Sequence, residues 1–412
     1  MKKLTQKKYI YSLVFLCAII YFVSYVTRIN YSAVLVEIMK SEGFTKTAAS
    51  VPLTGLFIVY GVGQLISGVL GDKFSPEKII FFGLFLTAAM NITLPFAAVS
   101  TKMMTVVWSI NGFAQALMWP PLVKILTKHL TKDDYAMNIV YIHFGSSFGT
   151  IFVYAASPVV ISHSGWRYVF FGAAALALIV AVIWRLSVFR IEGHAEEVDT
   201  PSDMPLPAAS QKKAIPFTKA AITLLSLIMF TNIFQGLLRD GIATWMPTYM
   251  ADTFGFASGS AILTGVALPI ATMIISHFTA TIYRKILKNE AKCTTLFFVV
   301  CTVSCIVLCI ANGLNPVLST IMLMVANAAT HAINFMYTSI AVSRFEAFGK
   351  MSFVTGAINS SVYIGSALST YGIAAITEKF NWSGTMTAWL IASVIGLVSC
   401  IVTIKHFADC KN

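Results

Sequence analysis

Stretches apolar over enough residues to cross the roughly 30 Å hydrocarbon layer of a bilayer recur throughout this chain. They run over 9–38, 47–71, 78–98, 102–129, 136–160 and 166–189, then over 220–250, 258–283, 293–313, 316–343, 352–377 and 382–404. No other feature constrains the fold as strongly. A segment immersed in lipid has no water to satisfy its backbone, so it must be a helix or part of a closed barrel. These stretches are helix-length, whereas a barrel strand needs only about 9–11 residues. Composition points the same way: 11% of residues are charged, against about 25% in soluble domains. The expected fold is therefore an all-α membrane protein with twelve transmembrane helices.

The formal charge of +12 invites a polyanionic partner, but the cations concentrate in the segments on one side of the spans. That bias orients a polytopic protein in its membrane, so the expected surroundings are a lipid bilayer and not nucleic acid. The basic start, Met1-Lys2-Lys3, leads into an apolar run without a small-residue cleavage site, which reads as a first span. Between the sixth and seventh spans lies a polar stretch holding Glu192, Glu196, Glu197, Asp199 and Asp203, then Lys212, Lys213 and Lys219. Its prolines and mixed charge read as a linker without a core of its own. An even number of spans puts both termini and this linker on the same side, and the charge bias makes that side cytoplasmic in a multi-pass cell-membrane protein. The expected organisation is a six-helix bundle over 1–190, a linker over 191–218 and a second six-helix bundle over 219–412.

A spacing suggests that the bundles are pseudo-symmetric copies. Arg28 follows Lys8 by twenty residues, and Arg239 follows Lys219 by the same number. Parallel repeats related by an axis along the membrane normal would bring these two arginines to facing positions. A cation deep in a bilayer costs about 2.5–3.5 kcal/mol on insertion scales. It either snorkels to the interface or faces a wet interior. Polar neighbours at helical spacing favour the second: Tyr21, Tyr25 and Ser32 beside Arg28, and Thr231 and Gln235 beside Arg239. Further stripes are Asn111, Gln115 and Trp119 on the fourth span, His143, Ser147, Thr150 and Tyr154 on the fifth, and Asn327, His331, Asn334 and Thr338 on the tenth. Each residue has the alternative role of hydrogen-bonding glue between helices. Together the stripes describe a cavity with two guanidiniums, groups that grip carboxylate or phosphate oxygens bidentately. The expected substrate is a small anion.

Asp240 is the acid deep in a span. Consecutive helix positions point about 100° apart, so a direct pair with Arg239 is not expected. Asp240 then finds another partner or protonates. With His143 and His331, it is a candidate for proton coupling or for a structural role.

Several segments resemble the major facilitator superfamily. Gly68-Val69-Leu70-Gly71-Asp72-Lys73-Phe74, after the second span, looks like its cytoplasmic loop motif, which implies that Asp72 and Lys73 act in a conformational gate. More narrowly, Tyr25-Val26-Thr27-Arg28-Ile29-Asn30, Trp119-Pro120-Pro121 and the stretch from Arg239-Asp240-Gly241 to Trp245-Met246-Pro247-Thr248-Tyr249 resemble the organophosphate:phosphate antiporters. That family includes the bacterial glycerol-3-phosphate and hexose-phosphate exchangers. The resemblance implies the major facilitator fold, with the two phosphate-gripping arginines falling on Arg28 and Arg239. With the polar stripes, the expected substrate-binding set is Arg28, Arg239, Tyr25, Asn30, Gln64, Gln115, Trp119, His143, Gln235, His331 and Asn334. Two departures stand out. A lysine of the glycerol-3-phosphate exchanger, on a stretch resembling Tyr60-Gly61-Val62-Gly63-Gln64, is replaced by Gln64, which removes one positive charge. The family's fifth-span histidine is replaced by Ser146, with His143 one turn earlier.

The expected function is secondary transport of a small organic anion by alternating access around Arg28 and Arg239. A phosphorylated metabolite would exchange for inorganic phosphate as counter-substrate. Proton-coupled carriage of a carboxylate or sugar acid is the alternative, and a non-transporting membrane sensor a lesser one. The spans hold no nucleophile–base pair and no metal-ligand spacing, so neither an enzyme nor a cofactor is expected. Nothing in the sequence requires more than a monomer.

Overall fold

The computed structural model describes residues 2–197, 216–348 and 351–409. It is almost entirely helical. In chain order the helices are α1 (Lys7–Glu42), α2 (Lys46–Lys73), α3 (Pro76–Ala97), α4 (Thr101–Ala116), α5 (Trp119–His129), α6 (Lys132–Ser164) and α7 (Arg167–Glu192). There follow α8 (Lys219–Phe254), α9 (Ser258–Thr264), α10 (Ala267–Ile282), α11 (Glu290–Ile310), α12 (Pro316–Phe335) and α13 (Met351–Asp409).

Twelve crossings emerge once three breaks are counted. The fourth crossing, expected as one helix, is α4 and α5 in succession. Pro120 and Pro121 open α5, and a proline there supplies no N–H to the preceding turn. The eighth crossing is likewise divided into α9 and α10 at Gly265–Val266, beside Pro269. Helix α13 is two crossings joined at Asn381, whose φ of 56° is non-helical. The tenth expected span also changes character: α12 ends at Phe335 and continues as a π turn over Met336–Ile340 and a 3₁₀ turn over Ala341–Phe348.

Helices α1 and α8 each run 36 residues, about 54 Å at 1.5 Å per residue. Both therefore extend beyond the hydrocarbon. Each stops at a glycine with φ 69° and ψ 24°, Gly43 and Gly255, a left-handed conformation that costs glycine nothing. Side-chain caps start many of the others: Thr45 accepts from Ala48 N, Thr131 from Asp134 N, Thr218 from Ala221 N and Asn289 from Lys292 N.

Large apolar side chains such as Phe15, Phe96, Tyr168 and Ile310 are exposed, as suits a surface solvated by lipid. Inside, small residues let the backbones meet. A methyl group on Gly236 of α8 or Gly365 of α13 would strike the carbonyl oxygen of Val362 or Ile233, so these helices cross in direct backbone contact.

The face bearing the chain start carries a clasp that was not expected from the sequence. Lys2–Lys3 (β1) pairs antiparallel with Glu196–Glu197 (β2). Lys3 Nζ donates to the carbonyls of Thr127 and Leu130 at 2.8 Å each, capping the C-terminus of α5, where a cation is favoured. Burial holds this amine below the ordinary lysine range. Most of the 191–218 linker, over 198–215, lies outside the described residues.

Candidate functional site

Arg28 lies in the interior of α1. Its guanidinium sits 4.4 Å from the Tyr25 ring centroid and 5.2 Å from that of Tyr60 on α2. Among the described residues it makes no ion pair. Arg239, in the interior of α8, is 5.9 Å from the ring of Tyr363 on α13. The Tyr60 and Tyr363 rings meet at 4.4 Å. A continuous row, Arg28–Tyr60–Tyr363–Arg239, therefore crosses from the first six spans to the last six. The electron-rich ring faces partly compensate the desolvated cations.

Arg239 and Asp240 do pair, contrary to the expectation from helix geometry. Nε donates to Oδ1 at 2.9 Å and Nη2 to Oδ2 at 2.7 Å. The 100° between adjacent positions is bridged because the long arginine side chain curls back along the helix. Ser366 Oγ of α13 also donates to Asp240 Oδ2, while Asn327 of α12 donates to the Arg239 carbonyl at 2.9 Å.

A second tier adjoins Arg28. Tyr21 packs against Tyr25 (5.2 Å between centroids), Trp119 (4.7 Å) and His143 (5.8 Å), and Trp119 is 5.0 Å from His143. His143 is nevertheless exposed, so this aromatic box is open on one side. Gln64 lies one turn beyond Tyr60, and its Nε2 is buried with no hydrogen-bond partner among the described residues. The same holds for Asn334 Oδ1 on α12, one turn from the half-buried His331.

Three other expected site residues sit in helix packing instead. Gln115 accepts from Ser24 Oγ at 2.6 Å and donates to Thr27 Oγ1 at 2.8 Å and Thr87 Oγ1 at 3.0 Å, joining α1, α3 and α4. Asn30 donates to Asn91 Oδ1 at 2.7 Å. Gln235 donates to the Thr330 carbonyl at 3.0 Å. All three are buried, with these bonds directed at neighbouring helices, the role of interhelical glue. The side chains of Asp72 and Lys73, at the end of α2, lie outside the described residues.

On the face opposite the chain start, the first turn of α2 is tied to the later helices. Lys46 Nζ pairs with Asp252 Oδ2 at 2.9 Å, and the Trp382 indole donates to the same oxygen at 3.1 Å. The Thr47 amide and hydroxyl donate to the two carboxylate oxygens of Glu378 at 2.8 and 2.5 Å. Lys46, Asp252 and Glu378 border a 620 Å³ cavity that Lys40, Phe44 and Ser258 also line. Sequence reasoning passed over them, since charges at helix ends carry no distinguishing pattern. Tyr60, Tyr363 and Ser366 were also missed. The available signal was the i, i+3, i+7 stripe of Tyr363, Ser366 and Thr370 on the eleventh span.

Residues 17–370 match the family model described as Major Facilitator Superfamily. The glycerol-3-phosphate transporter of Bacillus subtilis (strain 168) is 23% identical over 407 residues, covering 92% of this chain and 88% of its own length. The membrane sensor protein UhpC of Salmonella typhimurium (strain LT2) is 23% identical over 392 residues, covering 91% and 87%. These relatives fit the resemblance to the organophosphate:phosphate antiporters read from the residues. Among solved structures, a bacterial homologue of the human lysosomal transporter Spinster, inward-facing and occupied, matches with a TM-score of 0.77. Its identity is 13%, over 98% of this chain and 99% of that one, a likeness of fold alone.

Proposed function

The chain belongs to the Major Facilitator Superfamily, and from that premise we propose that it moves a small organic anion, a phosphorylated metabolite, in exchange for inorganic phosphate. The observation that carries this reading is Arg28, a desolvated cation with no ion pair among the described residues, linked through Tyr60 and Tyr363 to a second arginine. An uncompensated guanidinium at that depth is expensive, and an anionic ligand supplies its missing partner. The phosphoryl group is taken from the named activity of the glycerol-3-phosphate transporter.

Where the contacts lie supports an alternating-access reading. The Lys46–Asp252 and Thr47–Glu378 ties hold one face shut, while the open side of the Tyr21–Trp119–His143 box offers entry from the other. The anion binds between the two six-helix halves and draws them together. It shifts the equilibrium only through its different affinities for the two states. The lysine- and arginine-rich face, with both termini, is cytoplasmic in a cell-membrane protein, and one chain contains the whole cleft, so a monomer suffices.

A second reading, proton-coupled carriage of a carboxylate or sugar acid, is favoured by Gln64 standing where a cation would otherwise be. Proteoliposomes preloaded with phosphate separate the two. The proposal predicts that internal phosphate accelerates entry of labelled phosphate or glycerol 3-phosphate. Entry unaffected by internal phosphate but driven by a proton gradient supports the second reading. Absence of any solute entry leaves a sensor, as in the UhpC relative's name.

A further inference from the structure

The two arginines of the cleft are not electrically equivalent. Arg28 has the faces of Tyr25 and Tyr60 against it and no ion pair among the described residues, whereas the Nε–Nη2 edge of Arg239 is filled by both oxygens of Asp240. That edge is one of the two through which a guanidinium forms a pair of parallel bonds to a carboxylate or phosphate, and the carboxylate on it also cancels the charge of Arg239. Gln64 adds no charge. The two arginines of the cleft thus present one unpaired positive charge among the described residues, not two.

We propose that Asp240 is a resident counter-anion that competes with the substrate for Arg239, so that the cleft selects an oxyanion head group bearing a single negative charge. This inference rests on the anion cleft proposed above and specifies the charge of what it holds. A carboxylate, or a phosphoryl group in its singly charged form, fits Arg28 while the Arg239–Asp240 pair stays closed. A doubly charged head group gains the full charge and the Nε–Nη2 edge of Arg239 by displacing Asp240, which then keeps the Ser366 hydroxyl as its partner. The displaced carboxylate also repels the second charge of the incoming anion.

The test uses purified full-length protein at pH 8, titrated with two probes sharing a phosphoryl centre: inorganic phosphate, mainly doubly charged there, and dimethyl phosphate, singly charged. Binding is read by thermal shift and calorimetry in the wild type, Asp240→Asn, Asp240→Ser and Arg28→Lys. Removing the competing charge should raise phosphate affinity by about tenfold, near the low end of the coupling measured between close charge pairs. Dimethyl phosphate affinity should move much less. Two neutral replacements guard against one that misfolds, and retained dimethyl phosphate binding shows that the cleft is intact. If the phosphate-to-dimethyl phosphate preference is unchanged or falls in both variants while Arg28→Lys still weakens binding, the counter-anion role is wrong and the anion cleft stands. If neither probe binds in an Arg28-dependent way, both fail together.

Discussion

Arg28 and Arg239 have different company, so replacing them should have different consequences. Arg28→Lys removes the planar group that stacks on Tyr25 and Tyr60 without orphaning a carboxylate. Stability should change little while anion binding is lost. Arg239→Ala leaves the half-buried Asp240 without its cation. Breaking a buried ion pair from one side costs about 3–5 kcal/mol, and the double variant Arg239→Ala/Asp240→Ala should recover much of it. Thermal unfolding in detergent checks both; equal destabilisation by the two single replacements would contradict the assignment. Gln115 belongs to a third class. Gln115→Ala leaves Ser24, Thr27 and Thr87 short of partners, a cost of about 1–3 kcal/mol. It should lower the melting temperature while anion affinity in the folded fraction stays normal.

Among the elements, the chain's long helices were legible because lipid allows so few backbone solutions, and each apolar run became a crossing. Where a crossing divides was harder to read. Pro120 and Pro121 sit inside an unbroken apolar window, and hydropathy does not register a missing N–H. The site was legible for the same physical reason as the helices: Arg28 and Arg239 are costly in lipid and stand out against apolar neighbours. Tyr60 and Tyr363 do not stand out, because an aromatic ring is equally at home in a core. Nor could the stripes separate Gln115, which faces helices, from Trp119 four residues on, which faces the aromatic box. At this scale the ties of the first turn of α2 make a prediction. Asp252→Asn with Glu378→Gln removes the charged partners of Lys46 and Thr47. A cysteine placed at Ser258, which lines the cavity there, should then react faster with a membrane-impermeant maleimide. An unchanged rate would show that these contacts do not hold the face shut.

For the whole molecule, the repetition that carries the mechanism appears twice. Arginines occur at matching depth in α1 and α8, and both 36-residue helices end on a left-handed glycine. Such a pair of related elements is what a rocking motion of two halves about a central ligand needs. The direct crossing of α8 and α13 through Gly236 and Gly365 would keep Arg239, Asp240 and Ser366 together in the proposed motion. Gly365→Val should accordingly abolish folding, not merely slow transport, as read by the yield of monodisperse protein. The central claim is that an anion crosses through the Arg28–Arg239 cleft. Its most direct test is entry of labelled inorganic phosphate into phosphate-loaded proteoliposomes, comparing wild type with Arg28→Lys at equal amounts of folded protein. The account predicts rapid exchange in the wild type and its loss in the variant, since lysine cannot reproduce the two-pronged grip. Near-normal exchange in Arg28→Lys would contradict it.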